Sequence, residues 1–209
     1  MPERHYVISL CDYSGTWCQP YRDAGYTVLQ VDLKTGGDAV LFPSGISEHP
    51  RLSRDFADIR EFQDKTHAVL AAPVCTMFSG SGAKHARTDT QIRQGLSLVD
   101  ACIRVAVATK APIFALENPV GKLNKWLGDP IHRFQPYQYA GWADNPENEA
   151  YTKRTCLYGW FNTLLPENTV EPIHGSMLWR MYGGKSERTK EKRSMTPQGF
   201  SRAFYMANS

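Results

Sequence analysis

His67-Ala68-Val69-Leu70-Ala71-Ala72-Pro73-Val74, then residues 91–110 (QIRQGLSLVDACIRVAVATK), then Pro112-Ile113-Phe114-Ala115-Leu116-Glu117-Asn118-Pro119: this succession decides the fold. The two outer runs are short, apolar and bounded by turn residues, as strands buried on both faces of a parallel sheet are. In the middle stretch Ile92, Leu96, Val99, Ile103 and Val107 recur at spacings of three and four, which predicts a helix with one core-facing stripe. Strand, helix, strand is the unit from which parallel sheets are built. Toward the amino terminus, residues 5–11 (HYVISLC) and 26–33 (YTVLQVDL) read as two more strands, and weaker helices are expected near 18–25 and 51–63. The pattern predicts an α/β, doubly wound sheet in a single domain over 1–209, with ligands held outside the carboxyl ends of the strands.

A chain of 209 residues is long enough for one full core and too short for two sizeable ones. No apolar run approaches the roughly twenty residues of a membrane span, and Met1-Pro2-Glu3-Arg4-His5 lacks a signal peptide's apolar core, so a soluble, cytoplasmic protein is expected. Cys11, Cys18, Cys75, Cys102 and Cys156 form no C-x-x-C pair, and an odd number of cysteines argues for a reducing compartment. The histidines show no metal-ligand spacing, so no metal is expected. A net charge of +3 says little about nucleic acid, but from Arg180 to Arg202 seven basic residues face only Glu187 and Glu191, a run that fits phosphates or a solvated surface.

Candidate functional residues sit at the expected strand ends. After the first strand, Cys11-Asp12-Tyr13-Ser14-Gly15-Thr16-Trp17 is a small-residue turn through which backbone N–H groups can approach a ligand. Asp32 ends the second strand, where a carboxylate can accept ribose hydroxyls, and Asp58-Ile59 precede the third with a polar and an apolar contact for an adenine. Each has a structural alternative: Gly15 turns the chain, and Asp32 or Asp58 caps a helix. Cys75 follows Pro73 and opens a Gly/Ser loop, Thr76 to Gly82, that reads as polar and able to close over a substrate. Free cysteines are usually packing residues, yet this one ends an apolar run beside such a loop. Glu117 ends the next strand, so a nucleophile and a carboxylate lie at neighbouring strand ends.

These residues resemble the S-adenosylmethionine-dependent cytosine-C5 methyltransferases, in particular the compact forms of bacteriophages and prophages. Ser14-Gly15-Thr16-Trp17 with Pro20-Tyr21-Arg22-Asp23-Ala24-Gly25-Tyr26 and Asp32 is similar to the family's first cofactor segment. Ala72-Pro73-Val74-Cys75 resembles its nucleophile motif, and Glu117-Asn118-Pro119 stands where the family has Glu-Asn-Val. Residues 151–159 (YTKRTCLYG) resemble the strand that brings basic side chains to the pyrimidine, and 193–200 (RSMTPQGF) resemble the C-terminal motif that packs back under the fold.

The resemblance implies a Rossmann-like methyltransferase sheet and S-adenosyl-L-methionine as cofactor, held by Tyr13, Ser14, Gly15, Thr16, Trp17, Asp32, Leu33, Asp58, Ile59 and Pro73. It implies Cys75 as the nucleophile at C6 of cytosine, Glu117 as the proton-sharing partner of ring N3 and the exocyclic amine, and Lys153 as the residue that orients the pyrimidine or lowers the thiol pKa. Ser79, Asn118, Arg154, Thr155, Lys185 and Arg188 then belong to the substrate side, with Asn118 bracing the loop. Lys84, His85 and Arg87 stand near it as candidate phosphate contacts. The chain departs from the family pattern at Val74, in place of a second proline, and at Thr16-Trp17, in place of a Gly-x-Gly turn. A third departure is Thr155, where the second arginine of Arg-x-Arg belongs unless Arg154 serves in a shifted register.

Only residues 162–193 occupy the interval where the full-length family carries a target-recognition domain, so no separate recognition domain is expected. The implied partner is DNA, read with weak sequence specificity and with its target base flipped out. The implied setting is a bacterial or phage-infected cell, where methylation protects DNA from restriction. Two alternatives stay open: a free cytosine nucleotide or single-stranded substrate, and a non-catalytic binding module of the same fold.

Overall fold

The computed structural model describes residues 4–43, 58–80, 86–176 and 187–209, with the backbone alone for 187–190. The apolar runs form β1 (Tyr6–Leu10), β2 (Thr27–Val31), β3 (Thr66–Ala71) and β4 (Ile113–Pro119), joined by β5 (His132–Phe134) and β6 (Thr155–Trp160). They make one six-stranded sheet in the order β2-β1-β3-β4-β6-β5. The first four strands pair in parallel, whereas β6 runs antiparallel to β4 and β5 antiparallel to β6. The sheet is therefore mixed, and its two antiparallel strands modify the all-parallel expectation.

Successive side chains of a strand point to opposite faces, and here both faces are covered. Along β1, Val7 enters one core cluster and Ile8 and Leu10 the other; along β3, Ala68 and Leu70 oppose Val69 and Ala71. All of these are wholly buried, which is why the strands read as continuous apolar runs and not as alternating ones. One face is packed by α2 (Asp89–Ala108), the other by α1 (Gln19–Asp23) and α5 (Gln198–Ala207). The result is a single-domain mixed α/β fold, a central sheet flanked by helices. Among the described residues no helix is long and apolar enough to cross a membrane.

The helix α2 starts at a capping box: Thr88 Oγ1 accepts from the Gln91 N–H at 3.3 Å, and Gln91 Oε1 accepts from the Thr88 N–H at 3.1 Å. Its buried face is centred on Val99, Cys102, Val105 and Ala106, while Ile92, Leu96 and Ile103 are half-buried and Val107 is 59% exposed. The stripe of large apolar residues marks a flank of the buried face, because small residues let the helix lie closest to the sheet. Of the expected 51–63 helix, residues 51–57 lie outside the described residues and Ile59–Phe62 form a single 3-10 turn. The 162–193 interval has no helix or strand up to Ser176; residues 177–186 lie outside the description, and α4 (Glu187–Ser194) follows.

The C-terminal helix α5 closes the second face with aromatic rings. Phe200 stacks on Phe134 with centroids 3.9 Å apart and planes 4° from parallel, and Trp17 lies 5.8 Å from Phe200 and 5.6 Å from Phe204. Glu149 fixes the start of α5, its carboxylate accepting from the Gln198 and Gly199 N–H groups. Trp17 is wholly buried in this cluster, and its indole N–H finds no acceptor among the described residues. Trp17→Ala is therefore expected to cost about 3–5 kcal/mol, read as a lower urea midpoint and a Tm lower by roughly 10 °C. A shift under about 2 °C would contradict the packing role.

Candidate active site

The strand order sets a topological switch point before any side chain is considered. From β1 the chain moves to one side to make β2 and later returns on the other side as β3, so the loops at the carboxyl ends of β1 and β3 diverge. The loop after β1 is held from beneath by Asp12, a buried carboxylate. Its Oδ1 accepts from the Gly15 N–H at 2.9 Å and from Ser14 Oγ at 3.0 Å, and its Oδ2 accepts from Ser9 Oγ at 2.9 Å. Gln30 of β2 donates to the Asp12 and Tyr13 carbonyls at 2.7 and 3.0 Å. Gly15 has φ +66°, a conformation that favours glycine, and a Cβ there would fall 2.8 Å from Gln30 Oε1 and displace that side chain.

The residues expected at a cofactor are distributed around this loop. Tyr13 is exposed, with Lys34 Nζ 4.8 Å from its ring centroid. Asp32 caps the 3-10 turn Leu33–Thr35, accepting from the Lys34 N–H at 2.9 Å, and Leu33 is 78% exposed. Asp58 caps Ile59–Phe62 and gives both carboxylate oxygens to Arg60, whose guanidinium holds its carboxyl below the usual carboxylate range. Ile59 is half-buried beside it and Pro73 is buried. Trp17 is the exception among these residues: its side chain belongs to the aromatic core and offers no surface to a ligand, because the bulkiest side chain of the turn points inward under α5. A cleft of about 360 Å³ is lined by Ser14, Gly15 and Thr16 together with Asp144, Gln198 and Arg202; Asp32 and Cys75 are not part of its lining.

Cys75, Glu117 and Lys153 come together across three neighbouring strands. β3 and β4 pair in parallel through Ala71 and Leu116, which brings the segment carrying Cys75 beside Glu117. Glu117 lies opposite Leu157 of β6, and Lys153, just before β6, places Nζ 3.9 Å from Glu117 Oε1. That separation is an ion pair without a hydrogen bond. Lys153 Nζ donates instead to the Arg193 carbonyl of α4 at 3.2 Å, and Lys34 pairs with Glu191 of the same helix, so α4 bridges the carboxyl edge from β2 to β6.

Burial pushes the Glu117 carboxyl above its ordinary range, and the Lys153 charge offsets part of that rise. Burial also pushes the Cys75 thiol up, the Glu117 charge adds to the shift, and Lys153 opposes it. The three groups therefore share one electrostatic environment, in which the carboxyl retains its proton to higher pH and can donate it.

The loop after Cys75 is stitched down more tightly than its Gly/Ser composition suggests. The Cys75 carbonyl accepts from the Phe78 and Ser79 N–H groups at 2.9 and 2.8 Å, and Phe78 is buried in the core. Gly80 N–H donates to the Val120 carbonyl at 3.1 Å and Lys122 N–H to the Phe78 carbonyl at 2.7 Å, while Ser79 bridges to Gly121. A Cβ at Gly121 would lie 2.0 Å from the Phe78 carbonyl oxygen, so only glycine permits this approach. Arg87 donates to the Thr76 carbonyl at 3.0 Å. Ser81 and Gly82, with Lys84 and His85, lie outside the described residues, as do Lys185 and the side chain of Arg188.

Asn118 points to the opposite face from Glu117, wholly buried. Its Nδ2 donates to the Pro73 carbonyl at 3.4 Å, a brace between the two loops, and its Oδ1 has no partner among the described residues. Thr155 is buried and donates its hydroxyl to the Lys153 carbonyl at 3.1 Å, so it supports the lysine; Arg154 is the exposed residue of the pair. Sequence reasoning assigned no role to Asp12, Gln30, Phe78 or Gly121 as supports. Asp12 alone carried a local signal, since Asp followed by Ser and Gly is turn chemistry. The other three act through contacts distant in sequence. Among the described residues no group of three or more His, Cys, Asp or Glu is placed to hold a metal ion.

No family model matches this chain, and no curated protein matches it.

Proposed function

We propose that this chain is a methyltransferase with a doubly wound, Rossmann-like catalytic domain, acting on C5 of cytosine in DNA in the cytoplasm of a bacterial or phage-infected cell. The observation that carries the reading is the convergence of Cys75, which follows β3, Glu117, near the carboxyl end of β4, and Lys153, just before the antiparallel β6, with Glu117 raised toward its protonated form. A crevice at the switch point between the β1 and β3 loops would suit a nucleoside cofactor: Leu33 is exposed at the end of β2, and the second Asp32 oxygen accepts no hydrogen bond from the described residues. S-adenosylmethionine would supply an electrophilic methyl group in that crevice.

The chain's own residues do the rest. C5 of cytosine is a poor nucleophile, and addition of the Cys75 thiolate to C6 makes it electron-rich. The electrons displaced onto the ring are met at N3 by the Glu117 proton, and Lys153 offsets charge on both groups. Once C5 carries the methyl group, its proton leaves to a base, the C6–sulfur bond breaks, and the electron pair returns to Cys75 as thiolate while Glu117 recovers its proton. Asn118 keeps the Cys75 loop and the Glu117 strand in register through Pro73.

Incubation with methyl-labelled S-adenosylmethionine and duplex DNA, single-stranded DNA or deoxycytidine monophosphate tests the reading. Label at C5 of polynucleotide cytosine is the expected result. Label on the mononucleotide alone would replace DNA as substrate, and no label in any arm would overturn the function.

A further inference from the structure

We infer that the ledge following β4 is a docking platform for a single-stranded polynucleotide, built from Lys122, Lys125, Trp126 and Arg154. This deepens the function proposed above and rests on it for the identity of the base that enters beside Cys75. The ledge is α3 (Asn124–Leu127) and the turn before it. Leu123 is buried and Leu127 packs on the core, which fixes the inner side of this turn. On its outer side Trp126 is 44% exposed, with its ring in a T-shaped contact with Phe78 at 5.6 Å between centroids. Phe78 is itself bonded to the Cys75 carbonyl, so the exposed indole is rigidly connected to the reactive loop.

Charge points to the occupant. Lys122 and Lys125 are exposed on the same turn, and the exposed Arg154 adjoins it through the Val120 N–H to Arg154 carbonyl bond at 3.2 Å. None of the three cations forms an ion pair among the described residues. Unpaired cations beside a pre-positioned aromatic face match phosphates and an unstacked base, the combination by which single strands are held without sequence readout. One helical turn has no reach into a duplex groove, and a stacked base pair offers no ring face to Trp126. The platform therefore selects a strand whose bases are already open.

The test is binding of a labelled cytosine-containing oligonucleotide, single-stranded or in duplex, followed by anisotropy without cofactor. The single strand is expected to bind more tightly, with log K falling against log salt at a slope near about −2 for three phosphate contacts. Lys122→Ala and Lys125→Ala should each reduce that slope by about 0.7, and Trp126→Ala should weaken binding about tenfold while Trp126→Phe retains most of it. Thermal melting of each variant shows that it is folded. Equal affinity for duplex and single strand, or wild-type binding by Trp126→Ala and both lysine variants, would overturn the platform. Binding is read without methyl transfer, so a platform that binds in an inactive protein leaves this inference standing and removes the function. Methyl transfer to duplex DNA by a protein that binds duplex and single strand equally does the reverse.

Discussion

Cys75→Ser is expected to abolish methyl transfer, lowering the rate by at least about 10⁴-fold, and to eliminate any covalent protein–DNA species. A serine hydroxyl is nearly isosteric with the thiol but holds its proton at every working pH, so addition to C6 loses its nucleophile. The surrounding turn, made by the Cys75 carbonyl and the Phe78 and Ser79 N–H groups, involves only backbone and survives the change. An unchanged melting temperature would therefore accompany the lost rate. The adduct is read with an oligonucleotide carrying fluorine at the target C5: fluorine cannot leave as a proton does, elimination stops, and the C6–sulfur bond persists through denaturing electrophoresis. A Cys75→Ser protein that still transfers methyl groups, or still forms that adduct, would sink the covalent mechanism.

Glu117→Gln is expected to lower methyl transfer by about 10²–10⁴-fold and at the same time to make Cys75 react faster with iodoacetamide. The two effects have opposite signs because the carboxyl group does two things. As an acid it gives a proton to the ring, which an amide cannot do at N3. As an anion it raises the Cys75 thiol, and replacing it with a neutral amide lets that thiol ionise at lower pH. The alkylation profile of Glu117→Gln should therefore lie to the acid side of wild type, and that of Lys153→Met to the alkaline side, since Lys153 opposes the rise. Burial raises Glu117 above its ordinary carboxylate range, so wild-type transfer should persist at pH values above 4.5 and fall as Glu117 loses its proton. A Glu117→Gln alkylation profile superimposable on wild type would show that the carboxyl and the thiol do not interact.

The central strands were legible because each is covered on both faces, and burial on both faces leaves a continuous apolar run in the sequence. Strand β5 has three residues, with only Phe134 buried, and left no such run. The direction of β6 was equally hidden: a strand's apolar content is the same whether it pairs parallel or antiparallel. Val107 was misplaced on the buried face of α2 for a related reason, since periodicity weighs large side chains whereas contact with the sheet is closest through Cys102 and Ala106. Trp17 read as part of a ligand-facing turn, but the aromatic cluster that takes it in comes from Phe200 and Phe204, far along the chain.

The amino-acid sequence by itself determined the α/β class, the four parallel strands, the helix between β3 and β4, and the placement of Cys75 and Glu117 at strand ends. All of these follow from local periodicity and from where apolar runs stop. Only the tertiary structure decided that Lys153 stands 3.9 Å from Glu117, that Asn118 braces Pro73, and that Gly121 lets the Cys75 loop close onto the chain after β4. Those are contacts between segments tens of residues apart, and they arise from sheet order and close packing, which no local pattern records.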